Sequence, residues 1–285
     1  MHQFVVQLLE ANPHLKDNEL YIFGESYGGH YAPATAGALL KDKSIPLAGL
    51  GVGNGLTNPL VQYAQYPDYT YNFTKEKLGK PVITLDTYEQ MVQAWGQCKP
   101  QIEKCEQSES GCNIAQFICN QNLIGPYEAT GLNPYNIREE CKVKPLCYDF
   151  SDVTDYLNDA GIQTTLGVKK GIKWQSCNMT VNSMFSNDWM QTEASHVSDL
   201  LEAGKKVLIY AGELDFICNW LGNQAWTLAL EWSGKDAFNA ANVTPWDVGG
   251  KPAGMSRTAK GFTFLQVYEA GHMYVNLFFH RNVLF

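Results

Sequence analysis

Residues 20–40, "LYIFGESYGGHYAPATAGALL", run from an apolar strand into an alanine-rich helix, with the six residues "GESYGG" between them. So short a junction forces the chain to turn sharply, and Gly24-x-Ser26-x-Gly28 sets small residues two before and two after a serine. That spacing is the signature of a nucleophile elbow, which lifts a serine hydroxyl clear of a sheet. The competing reading makes Ser26 a helix N-cap, a role that serine favours. A pattern this short arises by chance in many chains, so the surrounding chain has to decide.

The same alternation of strand and helix fills both ends of the chain. The opening "MHQFVVQLLEANPHLK" reads as an amphipathic helix, followed by the strand "LYIF", a helix from about Tyr27 to Leu40, the strand "LAGLGVGNG" and the turn "LTNP". From about residue 200, "KKVLIYAG" leads through "ELDFICN" into the helix "WLGNQAWTLALEW", and "FTFLQVYEA" leads into "GHM". Strands alternating with helices predict an α/β fold with a mostly parallel sheet flanked by helices, built from residues 1–59 and 196–285. Residues 60–195 are rich in Tyr, Gln, Asn and Cys with short helical patterns, and they predict a mainly helical insertion held by disulfides.

Seven of the eight cysteines fall in or beside that insertion, at Cys98, Cys105, Cys112, Cys119, Cys141, Cys147 and Cys177. Structural zinc takes Cys or His pairs at two- to four-residue spacing, whereas these cysteines are mostly six residues apart with no histidine beside them. Disulfides are the expectation, with no metal and no cofactor. Together with the sequons at Asn72, Asn178 and Asn242, they point to the secretory pathway. The first residues nevertheless lack a basic region and a long enough apolar run for a signal peptide. The net charge of −8 comes without any Lys/Arg run, so nucleic acid is not an expected partner. No window of 18 apolar residues predicts a membrane span.

Three reactive residues occupy strand ends, where ligands bind in open α/β sheets. Ser26 follows "LYIF", Asp215 follows "VLIYAG" and His272 follows "FTFLQVYEA". The chain order Ser, Asp, His is the one used by the α/β-hydrolase arrangement. The chemistry needs these types: a hydroxyl becomes nucleophilic when a neutral imidazole takes its proton, and a buried carboxylate stabilises the imidazolium that results. Asp215 has a capping role near Asn219 as its alternative reading, and Glu213 is a rival carboxylate. His2, His14, His30, His196 and His280 lack strand-end context and read as surface or packing residues.

"GESYGGHYAP", "GVGNGLTNP", "NDWM", "YAGELDFICNWLGNQAW" and "EAGHM" together resemble the serine carboxypeptidases, and "DFICNWLGN" most resembles their fungal vacuolar, carboxypeptidase Y type. The resemblance runs from the opening helix to Met273. It implies a serine-type carboxypeptidase acting on peptide C-termini through Ser26, Asp215 and His272, with the Tyr27 backbone N–H as an oxyanion donor. Tyr27, Trp189, Ile217, Cys218 and Met273 are implied to line the substrate site. Glu25 is implied to meet the substrate's terminal carboxylate, which a carboxyl achieves by sharing a proton, so acid favours binding. A vacuolar or lysosome-like acidic compartment follows, with secretion as the alternative. The resemblance also implies the pairs Cys98–Cys119, Cys105–Cys112 and Cys141–Cys147, with Cys177 and Cys218 unpaired; a Cys177–Cys218 bridge is the rival.

The family carries an upstream Asn-Gly-Gly-Pro-Gly-Cys-Ser-Ser segment with a second oxyanion donor, and this sequence starts beyond it. The end "YVNLFFHRNVLF" also departs from the family pattern. An inactive homologue that keeps the three residues is therefore a second expectation, and acyl transfer on the same scaffold a third.

Overall fold

The computed structural model describes residues 1–108, 111–144 and 146–273, so His280 and the divergent end lie outside the described residues. Eight strands are present among them: β1 Leu20–Glu25, β2 Leu47–Gly53, β3 Leu132–Asn133, β4 Asn136–Glu140, β5 Lys206–Gly212, β6 Thr244–Val248, β7 Lys251–Ala259 and β8 Phe262–Val267. Six form one sheet in the order β1-β2-β5-β8-β7-β6, and β3 pairs with β4 apart from it. The first four are parallel; helices lie in the connections from β1 to β2 and from β2 to β5, and the connection from β5 to β8 carries two helices and then β6 and β7. β6 and β7 are antiparallel, which makes the sheet mixed.

The sequence reading leaves this β6–β7 hairpin out. Its turn is Gly249-Gly250, both at positive φ, a pair that two-residue hairpin turns favour. Pro245 and Pro252 obscure the signal, yet Pro245 lies on the outermost strand, where a missing N–H costs the ladder little. The other expected elements form close to their sequence limits, including helices His2–Ala11, Gly28–Leu40 and Trp220–Ala229.

Two apolar cores result. One lies between the sheet and its helices, with Leu39, Val52, Val197, Ile209, Trp226 and Phe262 buried together. The second gathers Tyr63, Tyr69, Met91, Ile102 and Tyr127 around Leu214 and Phe216 of the segment after β5. Tyr127 stacks on Phe216 with centroids 3.8 Å apart. The second core therefore seats the loop after β5 on the helical layer. Burial of each such side chain is worth about 1.5–3 kcal/mol.

Helix Leu85–Gln107 starts on Thr84, whose Oγ1 accepts from Thr87 N at 3.2 Å. Cys98 and Cys105 are two turns apart on it and share a face, as Cys112 and Cys119 do on helix Cys112–Cys119. The two faces join as Cys98–Cys119 and Cys105–Cys112, and Cys141 joins Cys147. Cys177 and Cys218 are free, the latter buried, so no Cys177–Cys218 bridge forms. Asn72, Asn178 and Asn242 are all exposed. No helix of the described residues is long and apolar enough to cross a membrane.

Candidate active site

β1 ends in a sharp elbow. Ser26 has φ 61°, a left-handed conformation that a non-glycine residue adopts only under constraint. Its N–H donates to Gly53 O at 3.2 Å, and its carbonyl accepts from Gly29 N at 2.9 Å and Leu56 N at 3.0 Å. These bonds fix the turn from both sides. The glycines divide the work differently from the Gly24-x-Ser26-x-Gly28 reading. A Cβ on Gly24 would lie 2.6 Å from Gly28 O, and one on Gly29 would lie 2.5 Å from Leu56 N, but one on Gly28 would meet nothing within 4 Å. Gly24 and Gly29 thus permit the close approach.

Ser26 does not cap the helix: Tyr27 occupies that position, and the Ser26 hydroxyl makes no hydrogen bond among the described residues. The Tyr27 N–H likewise has no acceptor among them and sits at the positive end of helix Gly28–Leu40. An oxyanion donor needs this kind of free N–H.

Asp215 and His272 meet beyond β5 and β8. The His272 Nδ1 donates to Asp215 Oδ2 at 2.8 Å, with both side chains buried. Asp215 Oδ2 also accepts from Asn54 Nδ2 at 2.6 Å and Cys218 N at 3.2 Å, and Oδ1 accepts from Ile217 N at 3.1 Å. Four donors hold one carboxylate in place. Asn54 carries no role in the sequence reading, although it stands in the quoted "GVGNGLTNP". It sits at the end of β2 with φ 40°, and Gly212 N donates to its Oδ1 at 3.1 Å. A Gly-Asn-Gly at a strand end, where Asn tolerates a left-handed turn, was the available signal.

On the far side, His272 N donates to Tyr135 O at 2.8 Å. A Cβ on Gly271 would strike that same carbonyl at 2.4 Å. The structure joins Asp215 and His272 but shows no hydrogen bond between His272 Nε2 and Ser26 Oγ. Glu213, the rival carboxylate, points elsewhere: its Oε1 accepts from Lys77 Nζ at 2.6 Å. Asn219 caps its own helix, accepting from Gly222 N at 2.9 Å, so capping does not need Asp215. His30 is a packing residue, buried with Nδ1 2.6 Å from Leu56 O.

The electrostatics follow from burial. Desolvation alone would lower the His272 pKa, but the Asp215 charge and hydrogen bond outweigh it and raise it, with a contribution from Glu25. The Glu25 carboxyl is raised by desolvation, an effect that the nearby His272 opposes and Asp215 adds to. Burial pushes the Cys218 thiol well up, so it is not a thiolate nucleophile. Asp215, Cys218 and His272 offer ligand atoms within 4.8 Å of one another. A metal there would have to displace the Asn54, Cys218 and His272 donors already on Asp215, and these fit the carboxylate alone.

An aromatic wall lies beside the elbow. Tyr27 stacks on His30 at 4.6 Å and approaches Trp189 at 5.2 Å and Phe185 at 5.2 Å, while its OH donates to Asp188 at 2.6 Å. Trp189 Nε1 donates to Tyr63 OH at 3.0 Å. Ile217 and Met273 are partly buried nearby in sequence to Asp215 and His272.

A mixed sheet flanked by helices, with a strained serine at one strand end and an Asp–His couple at two others, defines the α/β-hydrolase class of fold. The architecture matches that of a prohormone-processing carboxypeptidase, Kex1Δp of Saccharomyces cerevisiae, with a TM-score of 0.78 at 24% identity, over 95% of this chain and 62% of that one. The chain belongs to the serine carboxypeptidase family, whose model matches residues 1–277. It is 40% identical over 280 residues to carboxypeptidase Y of Komagataella phaffii, covering 96% of this chain and 53% of that protein. It is 39% identical to serine carboxypeptidase-like 49 of Arabidopsis thaliana, covering 96% and 53% respectively. The chain spans about half the length of these relatives.

Proposed function

We propose that this chain carries the catalytic centre of a serine-type carboxypeptidase that releases C-terminal residues from peptides. The observation that carries the reading is the buried Asp215–His272 hydrogen bond at 2.8 Å, which turns Nδ1–H to the carboxylate and leaves the Nε2 lone pair for a proton. In the proposed cycle Ser26 Oγ attacks the scissile carbonyl and its proton passes to His272 Nε2. Asp215 stabilises the imidazolium, and the Tyr27 N–H donates to the carbonyl oxygen as it becomes an oxyanion. The imidazolium then protonates the departing amine, which leaves an acyl-serine. Water, deprotonated by His272, cleaves that ester and restores Ser26.

Glu25 binds the terminal carboxylate in its protonated form. Its raised pKa supports this, because desolvation that disfavours its anion favours the shared proton. Acid conditions then help binding, in keeping with an acidic compartment of the secretory route. The three disulfides and the exposed sequon asparagines support such a route.

A second reading, a chain that keeps these residues without turnover, is favoured by the missing Ser26–His272 hydrogen bond. Catalytic hydrogen bonds are often open before substrate arrives. A fluorophosphonate probe decides between the two. Phosphonylation of Ser26 in this chain, abolished in His272→Ala, is the expected result; no labelling of the folded chain establishes the second reading.

A further inference from the structure

Lys77 lies in the short helix Thr74–Leu78 of the helical layer, outside the site described above. Its ammonium contacts two carboxylates at 2.6 Å each: Glu213, two residues before Asp215, and Glu269, three residues before His272. Glu213 is buried, with its side chain only 5% exposed. It also accepts the Glu269 N–H at 2.8 Å. Glu269 has φ 59°, a strained conformation that needs holding, and Arg138 of β4 reaches both its carboxylate and its carbonyl. Two cations and two anions thus close a neutral cluster across the two segments that deliver Asp215 and His272.

The cluster has a definite electrostatic logic. Both carboxylates lie within 2.6 Å of one nitrogen, so without the ammonium the buried Glu213 carboxylate would face Glu269 with no cation of its own, Arg138 remaining as the partner of Glu269 alone. Such a pair either separates or takes up a proton. The hydrogen bonds hold the Lys77 pKa up against desolvation, and Lys77 holds that of Glu269 down. Backbone bonds from Glu213 N to Val267 O and Leu214 N to Ala270 O, at 3.0 and 2.8 Å, also tie the loops. They resist wholesale opening but do not neutralise the charge.

We propose that Lys77 is a positioning residue of the active site: it neutralises Glu213 and Glu269 together and so sets the separation of the loops carrying Asp215 and His272. This rests on the catalytic reading above. Small displacements of catalytic groups caused by changes elsewhere cost up to about a hundredfold in rate.

The test compares the parent, Lys77→Met, Lys77→Arg and Lys77→Met/Glu213→Gln, each first shown to be folded by circular dichroism. Two readouts are used: the fluorophosphonate labelling rate of Ser26, and the downfield proton resonance of His272 Nδ1–H, assigned by its loss in His272→Ala. Lys77→Met is expected to label ten- to a hundredfold more slowly at pH 7 and to shift or lose the resonance. Both effects should shrink in the double variant, which lacks one of the charges. Lys77→Arg, which keeps the cation, should resemble the parent. A packing role for the lysine stem would instead give a loss that Lys77→Arg shares or that Glu213→Gln does not rescue. That result, or parent-like behaviour of Lys77→Met at pH 7, overturns the proposal. If Lys77→Met does not fold, a double variant that also fails to fold or remains defective overturns it. If the parent itself does not label, the catalytic reading fails, and the His272 resonance still decides the role of Lys77.

Discussion

Replacing Gly24 and Gly28 one at a time by alanine separates two explanations of the elbow. If both glycines serve the turn alike, both variants should suffer. The structure instead sets the Gly24→Ala methyl 2.6 Å from Gly28 O and 2.8 Å from Ala32 Cβ, and leaves the Gly28→Ala methyl with no neighbour inside 4 Å. Neither neighbour of Gly24 is the end of a flexible side chain, so relief requires helix Gly28–Leu40 to move away from β1. Overpacking of this kind costs about 1–3 kcal/mol, and the rigid neighbours place Gly24→Ala in the upper part of that range. Both variants gain about 0.4–1 kcal/mol from a stiffer unfolded chain. Gly24→Ala should therefore lose about 2 kcal/mol and Gly28→Ala should be neutral or gain up to about 1. At about 2–4 °C per kcal/mol for a chain of this size class, Gly24→Ala should melt about 4–8 °C below the parent by circular dichroism. Equal melting temperatures for the two variants, or a Gly24→Ala shift within error of zero, would refute the steric account.

The raised His272 pKa means that the imidazolium–Asp215 pair adds stability in full below about pH 6.5 and loses it as pH rises through the folded value; His272→Ala should flatten the decline in stability between pH 5 and 8 measured by urea unfolding. Glu193, pushed up to about 7 by desolvation and by Asp188, should destabilise the fold as pH rises from about 4.5 to 7. Glu193→Gln is therefore expected to be more stable than the parent by about 1–3 kcal/mol at pH 8 and no more stable at pH 4.5; a pH-independent difference would exclude titration as the cause. Iodoacetamide at neutral pH should modify the partly exposed Cys177 and spare the buried Cys218 until the chain unfolds, as read by peptide mass spectrometry. Glu25→Gln should weaken binding of free-carboxylate peptides more at acid than at neutral pH, and identical KM profiles for variant and parent would remove Glu25 from carboxylate recognition.

The parts of the site that could be read from the sequence share one property: each is a local pattern tied to a strand end. Ser26, Asp215 and His272 follow apolar runs that could only be strands, and chain order supplied the rest. Asn54 escaped because its function is not local. It reaches 161 residues along the chain to Asp215, and a Gly-Asn-Gly reads equally well as an ordinary turn. Lys77 is hidden for the same reason, being 136 and 192 residues from its two partners in a stretch with no motif. Gly28 shows the opposite failure, in which a motif position looks sterically required although the crowding falls on Gly24 and Gly29. The missed β6–β7 hairpin is a case of proline masking a strand pattern at a sheet edge, where proline is tolerated.

The two perturbed groups at the site make opposing demands on pH. In the proposed cycle, a raised His272 pKa extends the protonated imidazole, which cannot accept the Ser26 proton, to higher pH than an ordinary histidine's. In the proposed carboxylate-binding role, Glu25 must be protonated, and its raised pKa extends that form to higher pH than an ordinary glutamate's while still favouring acid. The groups are also coupled: ionised Glu25 raises the His272 pKa and a protonated His272 lowers that of Glu25. Neutralising Glu25 through a shared proton would therefore lower the His272 pKa and free its Nε2 at a more acidic pH than in the empty site. On this account the substrate's own carboxylate helps to switch on the general base. Peptides with a free C-terminus should keep their kcat to lower pH than esters or amides that lack one.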